Sequence, residues 1–250
     1  MKDRAFGVEL EFDSNGLDRQ GVARVLRNEF DRRGMRRWYF LDRLDYDGSE
    51  IELKTPILRG KKGFETLKIV MNTLADQGCD VSSDDGLHVH HDAPEFIDNI
   101  DNCIQLVKSW KKNQHLIYQF VSPDRVFDYY DGNEGSYWAC PMWSDEKVKQ
   151  LELTRKIPGW DRNDLNLAAL QEHGSIEIRL HEGTLDYTEA ESWIKFGQSF
   201  INRVLKHSMR TSKDATNLLK KVRVDPLAER VLINKAAEMR RMRERGYGYH

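Results

Sequence analysis

The chain has 250 residues, of which 39% are hydrophobic and 32% charged, so it is long enough to bury a globular core. Its 39 basic and 41 acidic residues give a formal net charge of -2, which excludes a protein whose whole surface attracts nucleic acid or membrane. The three cysteines lack CxxC spacing and no apolar run reaches the roughly 18 residues of a membrane span, so a cytoplasmic protein is expected.

Hydrophobic spacing predicts strands and helices in alternation along the chain. Period-two alternation and short apolar runs predict strands at residues 5–12, 38–41, 49–55, 86–93, 165–170 and 175–180, with a DYDG turn between the second and third. Helical spacing predicts helices at residues 18–33, 64–77, 98–120, 190–207 and 226–245. Residues 129–158 are predicted to be irregular because they are rich in Gly, Trp and Tyr.

Four of these strands carry paired polar side chains on one face. Because side chains alternate along a strand, the pairs are Glu9 with Glu11, Glu50 with Glu52, His88 with His90, and Glu177 with Arg179. Each pair alone is typical of a solvated sheet face. Together they would repel one another unless cations lay among them, which favours a metal site. His91 alternates to the other face and is predicted to be structural.

The side-chain types of this face indicate which ligands it could hold. Carboxylate oxygens suit Mg²⁺ or Mn²⁺, and Mg²⁺ in turn is typical of phosphate chemistry. The chain has no P-loop and no GxGxxG turn after a strand, so metals and arginines would have to hold a nucleotide. Arg125 in SPDR and Arg179 in SIEIRL are the candidates.

Six motifs in order resemble those of the amidoligase family, whose members are similar to glutamine synthetase in fold. The motifs are FGVELEF, DGSEIELKTPIL, GLHVHHDA, SPDR, DLNLAAL and SIEIRLHEGTLDYTEAESWIKF, which together span most of residues 5–200. The resemblance implies an α+β fold with a curved, mainly antiparallel sheet and helices packed on one face. It also implies a catalytic domain at residues 1–210, followed by a basic helical extension at residues 211–250.

The same resemblance implies an ATP-dependent carboxylate–amine ligase that works through an acyl phosphate with Mg²⁺ or Mn²⁺. A phosphate-bridging metal would be held by Glu9, His88 and Glu177, and a second metal by Glu11, Glu50 and Glu52, with the division between Glu50 and Glu52 left open. Catalytic roles fall to Arg179, Arg125 and Glu177. Nucleotide contacts fall to His90, Arg125 and Arg179.

The expected substrates are small-molecule or peptide carboxylates and amines. The resemblance also implies an amidotransferase or cyclotransferase as a partner enzyme. The chain is far shorter than glutamine synthetase and lacks the surroundings of its ammonia site. Residues 131–160 are either a cover that excludes water from the site or only a packed loop. Two alternatives stay open: a metal-dependent hydrolase with the same His and Glu side chains, and a catalytically idle nucleotide-binding protein.

Overall fold

A computed structural model describes residues 3–35, 44–47, 50–82, 84–126, 143–157, 159 and 163–245. For residues 44–47 and for Glu50 it describes the backbone. The strand predicted at residues 38–41, Cys140 and most of the predicted cover lie outside the described residues.

Six strands form one sheet in which every neighbouring pair is antiparallel. They are β1 (Phe6–Asp13), β2 (Leu44–Asp47), β3 (Glu50–Lys54), β4 (Gly86–Asp92), β5 (Leu165–Asn166) and β6 (Ser175–Glu182). Their spatial order is β2-β3-β1-β4-β6-β5. The centre of the sheet is therefore built from β1, β4 and β6, which are far apart in the sequence.

Helices lie between β1 and β2, between β3 and β4, and on both sides of β5, and further helices follow β6. The α-helices of the described residues are α1 (Arg19–Arg32), α2 (Gly60–Asp76), α3 (Pro94–Ile97), α4 (Ile100–Ile117), α5 (Asp145–Thr154), α6 (Ala169–His173), α7 (Tyr187–Lys206), α8 (Ala215–Val222) and α9 (Pro226–Glu244). Two 3₁₀ helices, Tyr118–Phe120 and Pro123–Arg125, follow α4. The predicted mixture of helices and antiparallel strands is confirmed in this form.

Alternation along β1 explains why one face of the sheet is covered and the other is polar. Its apolar side chains are buried, and those between them, among them Glu9 and Glu11, are half-buried. The buried side chains join residues of α1, α2 and α7 in one apolar cluster, in which the rings of Phe6 and Phe64 lie 4.8 Å apart. Burial of this face stabilises the fold and fixes the strand register, because a slip of one residue would expose it.

His91 on β4 lies on the covered face, as its alternation predicts. It is fully buried against α7, where a Cβ added to Gly197 would lie 2.3 Å from its Nε2 atom. The helix can approach the strand this closely because residue 197 has no side chain. Burial lowers the pKa of His91 to about 3, so the ring is neutral.

Two predictions that concern strands were wrong. The strand predicted at residues 165–170 ends at Asn166, because the Asn166 side chain accepts a hydrogen bond from the Ala168 amide and turns the chain into α6. The DYDG turn is mostly strand, because Asp45 and Asp47 pair with Glu52 and Glu50.

One prediction that concerns helices was also wrong. The irregular region contains α5, which begins where the Ser144 side chain accepts from the Lys147 amide. The helices α3, α6 and α8 were not predicted individually, although α8 lies within the predicted helical extension.

The C-terminal helices α8 and α9 pack against α7. The division of the chain at residue 210 stays a prediction, as does the likeness to glutamine synthetase. Across the described part of the chain, none of the helices combines the length and the apolar character needed to cross a membrane.

Candidate active site on the polar face of the sheet

Strand register brings the predicted site residues together. Glu9 on β1 lies opposite His88 on β4, and His90 lies opposite Glu177 on β6. On the other side of β1, Glu11 lies opposite Glu52. We call the five side chains at the centre the polar-face cluster, which comprises Glu9, Glu52, His88, His90 and Glu177.

The polar-face cluster is held by loose contacts around Glu9 and Glu177. One oxygen of Glu9 lies 3.4 Å from Nδ1 of His88, and the other lies 3.6 Å from Nε2 of His90. An oxygen of Glu177 lies 3.8 Å from Nε2 of His90 and 4.0 Å from Nδ1 of His88. Nε2 of His88 and Nε2 of His90 are buried and make no hydrogen bond within the described residues. These ring nitrogens point to a ligand that the chain itself does not supply.

Glu177 also has two closer partners, so its carboxylate is firmly oriented. Arg179 Nη1 donates to one oxygen at 2.6 Å, and Asn166 Nδ2 donates to the other at 2.8 Å. Asn166 was not predicted as a site residue. Asn166 lies opposite Glu177 on the neighbouring strand, and this position follows only from the register of β5 and β6.

Lys54 is a second side chain of the site that was not predicted as a site residue. Its ammonium lies 3.0 Å from Glu52 and 3.7 Å from Glu9, at the rim of the cluster, with 38% of the side chain exposed. Since Lys54 follows Glu52 by two residues on the same strand, alternation already places the two on one face. The lysine was therefore predictable from the ELK stretch.

The protonation of the cluster is uneven. Burial opposes the ionisation of Glu9, but the close contacts and charges of His88 and His90 outweigh it and hold the pKa of Glu9 well below its ordinary range. Burial and the nearby charge of Glu9 raise the pKa of Glu52 to about 7, although Lys54 opposes this. Burial disfavours the charged form of His90, but its contacts with Glu9 and the charge of Glu177 raise its pKa.

Gly86, at the start of β4, lies where three functional groups converge. A Cβ added to Gly86 would lie 2.6 Å from Nε2 of His88 and 3.1 Å from both Glu11 Oε2 and Arg125 Nη2. The Gly86 amide donates to Glu11 Oε2 at 2.6 Å. A larger residue would fill this space, so the glycine keeps a small cradle open between an imidazole, a carboxylate and a guanidinium.

Arg125 is buried, with 1% of its surface exposed, and it reaches the site from the 3₁₀ helix Pro123–Arg125. Its Nη2 atom donates to the Arg179 carbonyl at 3.2 Å. This carbonyl lies where the pairing of β4 with β6 shifts register, an irregularity of the kind that re-aims groups next to functional sites. Nε of Arg125 and Nε of Arg179 are buried without a hydrogen bond in the described structure.

A cavity of about 550 Å³ opens beside the Glu9 and His90 end of the cluster. Backbone and side chains of β1 form part of its wall, together with Lys54, Ile57, Arg59 and Asp92. Ile57 is 83% exposed, and Arg59 lies 3.5 Å from Asp92. The cavity thus combines an apolar rim with charged groups of both signs, next to the carboxylates of the cluster.

Two sets of side chains on this face could hold a metal ion. Glu9, Glu52 and His88 form one, and Glu9, His90 and Glu177 form the other, each with ligand atoms within 4.8 Å of one another. Glu9 is common to both. The grouping differs from the expected sets in pairing His90 with Glu177, although His88 lies near Glu177 as well. The side chain of Glu50 lies outside the described residues.

One comparison with known proteins bears on this site. A protein-family model described as "Putative amidoligase enzyme" matches residues 43–158. No curated protein matches the chain. The matched segment contains β2, β3 and β4 and the arginine of SPDR, and the glutamates of β1 and β6 lie beyond it. Over residues 43–158, the resemblance to the amidoligase family that the motifs predicted is confirmed.

Proposed function

We propose that the protein is an ATP-dependent carboxylate–amine ligase that forms an amide bond through an acyl-phosphate intermediate with metal assistance. The amidoligase family match supports an amide-forming ligase. The use of ATP, the acyl-phosphate intermediate and the metal ion are proposed in addition to this activity. The observation that carries them is the convergence of Glu9, His88, His90 and Glu177 beside two arginines on one face of the sheet.

The residues of this face fit a divalent cation. Glu9 and Glu177 offer carboxylate oxygens, and His88 and His90 offer buried ring nitrogens without hydrogen bonds among the described residues. Carboxylates in the majority, with imidazole in support, favour Mg²⁺ or Mn²⁺. Glu9, Glu52, His88, His90 and Glu177 would hold such ions, together with Glu11. A bound cation supplies charge stabilisation to a transferring phosphoryl group.

The two arginines would orient and stabilise the phosphates of ATP. Arg179 has its guanidinium fixed by Glu177 and its Nε atom free of hydrogen bonds in the described residues. Arg125 is held by backbone carbonyls and borders the cradle above Gly86. A fixed guanidinium can follow charge as it develops on the equatorial oxygens without reorganising.

In the proposed reaction a substrate carboxylate oxygen attacks the γ-phosphorus of ATP, and the bond from that phosphorus to the bridging oxygen of ADP breaks. The amine nitrogen then attacks the acyl carbon, and phosphate leaves with the electrons of its C–O bond while the amine loses a proton. The cavity next to Glu9 and His90 is where the organic substrates would bind. Its apolar rim and its paired charges suit an amino acid or a peptide end.

An oxygen-transfer experiment tests the proposal. Carboxylates labelled with ¹⁸O are offered in a panel with amino acids, polyamines and peptides, together with ATP and Mg²⁺, while ADP, amide and phosphate are measured. We expect ADP and amide in equal amounts and one ¹⁸O atom in each phosphate released. Phosphate without label and without amide would indicate a hydrolase, and ATP binding without turnover on any pair would indicate an idle nucleotide-binding protein.

Glu177→Gln is the matched inactive variant, because it keeps the shape of the side chain while removing its charge. Equal ADP release by Glu177→Gln and by the natural chain would contradict the assignment of the reaction to this face.

A further inference from the structure

A second cluster of titratable side chains lies at the end of β6, away from the polar-face cluster. It consists of His181, Glu182, Glu189 of α7 and Lys235 of α9, and we call it the Lys235 cluster. The first three have the composition and spacing of a metal site. The ammonium of Lys235, however, lies 2.7 Å from Glu182 and 2.5 Å from Glu189. An internal cation therefore joins the two carboxylates.

Glu182 connects this cluster to the segment that carries Arg125. One of its oxygens contacts Lys235, and the other accepts a hydrogen bond from the Ser122 amide at 2.9 Å. The Ser122 carbonyl in turn accepts from the Arg125 amide at 3.1 Å, which closes the 3₁₀ turn. A continuous line of contacts thus runs from Lys235 through Glu182 and Ser122 to the backbone of Arg125.

A second basic side chain of α9 holds the start of the same segment. Arg243 Nη2 donates to the carbonyl of Tyr118 at 2.7 Å and to that of Val121 at 3.3 Å. These carbonyls lie at the end of α4, where helical partners are missing. Two basic side chains of α9 therefore hold the segment that carries Arg125. Lys235 acts through Glu182 on Ser122, and Arg243 binds the carbonyls of Tyr118 and Val121. Arg241, on the same helix, is exposed.

We propose that Lys235 and Arg243 are positioning residues, which hold the segment from Tyr118 to Arg125 so that the Arg125 guanidinium stays at the Gly86 cradle. The role of Arg125 in turnover rests on the proposed function, whereas the fastening of the segment does not. Arg125 depends on this support because its own anchors are two long hydrogen bonds, of 3.2 and 3.4 Å, to backbone carbonyls. Two basic side chains of the last helix thereby have a role within the fold.

Ser122→Pro breaks one link of this line, because the proline ring takes the place of the amide hydrogen and displaces the Glu182 carboxylate, while the backbone angles already suit proline. Ser122 has φ -53° and ψ 142°, and Val121 has φ -127° and ψ 160°, which are angles that proline and the residue before it adopt. The variant loses the amide donor to Glu182. Ser122→Ala is the companion variant, which keeps that amide and loses only the hydroxyl. Arg243→Gln tests the second fastening, with Arg241→Gln as its control.

Amide hydrogen exchange and kcat are measured on all four variants of the full chain. We expect Ser122→Pro and Arg243→Gln to speed exchange at the Arg125 and Val126 amides by roughly five- to tenfold, the size of one lost hydrogen bond. They should lower kcat by about tenfold or more, because a small misplacement of a positioning group is costly. Ser122→Ala should show smaller effects than Ser122→Pro, and Arg241→Gln should match the natural chain.

A double-mutant cycle separates positioning from general destabilisation. In an Arg125→Lys background, Ser122→Pro should lower kcat by no more than about twofold, because the group that it positions is already replaced. Full additivity of the two losses, or unchanged exchange at Arg125 in both Ser122→Pro and Arg243→Gln, would overturn the proposal. If the natural chain forms no ADP with any substrate, the proposed function fails, and hydrogen exchange alone decides whether α9 holds the segment.

Discussion

The polar-face cluster and the Lys235 cluster both combine histidine and glutamate side chains with a lysine, but the lysine lies differently in each. In the Lys235 cluster the ammonium touches two carboxylates at 2.5 and 2.7 Å. At the rim of the polar-face cluster, the Lys54 ammonium lies 3.0 Å from Glu52 but 3.7 Å from Glu9, and Glu9 lies 3.4 and 3.6 Å from His88 and His90. Composition alone therefore does not separate the two clusters: one lysine joins both carboxylates of the Lys235 cluster, whereas Lys54 is close to Glu52 alone.

The largest expected effect is the loss of stability when the Lys235 ammonium is removed. Lys235→Met keeps the length of the side chain but leaves Glu182 and Glu189 without their ammonium. Removing one partner of a buried ion pair typically costs about 3 to 5 kcal/mol, so the free energy of unfolding should fall by that amount. Urea denaturation measures it. A loss below about 1 kcal/mol would mean that the cluster is not closed by Lys235.

On the polar face, the expected effect is on rate. Arg179→Lys conserves charge but replaces a fixed fork by a flexible ammonium, so kcat should fall by roughly 10² to 10³ while the Kd for ATP stays nearly unchanged. Steady-state kinetics and calorimetry measure the two quantities. Near-normal kcat in the lysine variant would mean that Arg179 serves only as the ion-pair partner of Glu177, which it contacts at 2.6 Å.

Metal binding should distinguish the clusters directly. Mg²⁺ or Mn²⁺ at 100 times its Kd should raise the free energy of unfolding by about 2.7 kcal/mol, since it binds the folded state alone. Glu9→Gln should abolish this increase, because Glu9 belongs to both candidate ligand sets. Glu189→Gln should preserve it, although its stability without metal is lower. The increase is measured relative to protein with excess chelator. If Glu189→Gln abolished the increase and Glu9→Gln preserved it, the ion would lie in the Lys235 cluster.

Individual ligands of the polar-face cluster should matter more than their neighbour on the covered face. Glu177→Gln and His88→Ala should each lower kcat/KM by more than about tenfold, the scale of loss for groups that hold a metal. His91→Ala should keep the activity per folded molecule while lowering stability, because the ring fills space against α7. Activity normalised to the folded fraction is the measurement. If His91→Ala were the most damaging change, the assignment of faces would be reversed.

The smallest expected effect is a pH dependence of stability that belongs to the Lys235 cluster. Burial opposes the ionisation of Glu182, but His181, Lys235 and the Ser122 amide lower its pKa from an ordinary 4.5 to about 2. Because the folded pKa is depressed, this carboxylate stabilises the protein above pH 4.5 and loses that contribution as pH falls toward 2.

Between pH 6 and pH 4, Glu182 should therefore account for about 1 kcal/mol or less of lost stability, which Glu182→Gln would remove. Urea midpoints at the two pH values, compared between the natural chain and the variant, check this. An equal fall in both proteins would show that another group carries the dependence.

The sequence predicted the centre of the sheet well, because β1, β4 and β6 alternate apolar and polar residues that bury one face. It therefore also predicted which side chains share the polar face, including His88, His90 and Glu177. It placed His91 correctly on the covered side. These predictions needed only the two-residue period of a strand.

Other features depended on contacts that no local pattern contains. Lys235 and Arg243 belong to the segment predicted only as a basic helical extension, and their partners Glu182 and Tyr118 lie 53 and 125 residues away. Asn166 was predicted to lie within a strand, but its side chain accepts a hydrogen bond from the Ala168 amide and the strand ends there. By contrast, α5 was missed although Ser144, followed by Asp145 and Glu146, is a strong signal for the start of a helix.

The order of strands in the sheet also bears on how the protein reaches its folded state. The three central strands begin at residues 6, 86 and 175, so neither of the two pairings that bring Glu9, His88 and Glu177 together is a local hairpin. Contacts between distant residues form slowly, because each closes a long loop before any stabilisation is gained. The β2–β3 hairpin and the helices can form early, whereas the polar-face cluster exists only after β6 has docked on β4. We therefore expect the cluster to appear late in folding, so that metal-dependent protection would report on completion of the sheet.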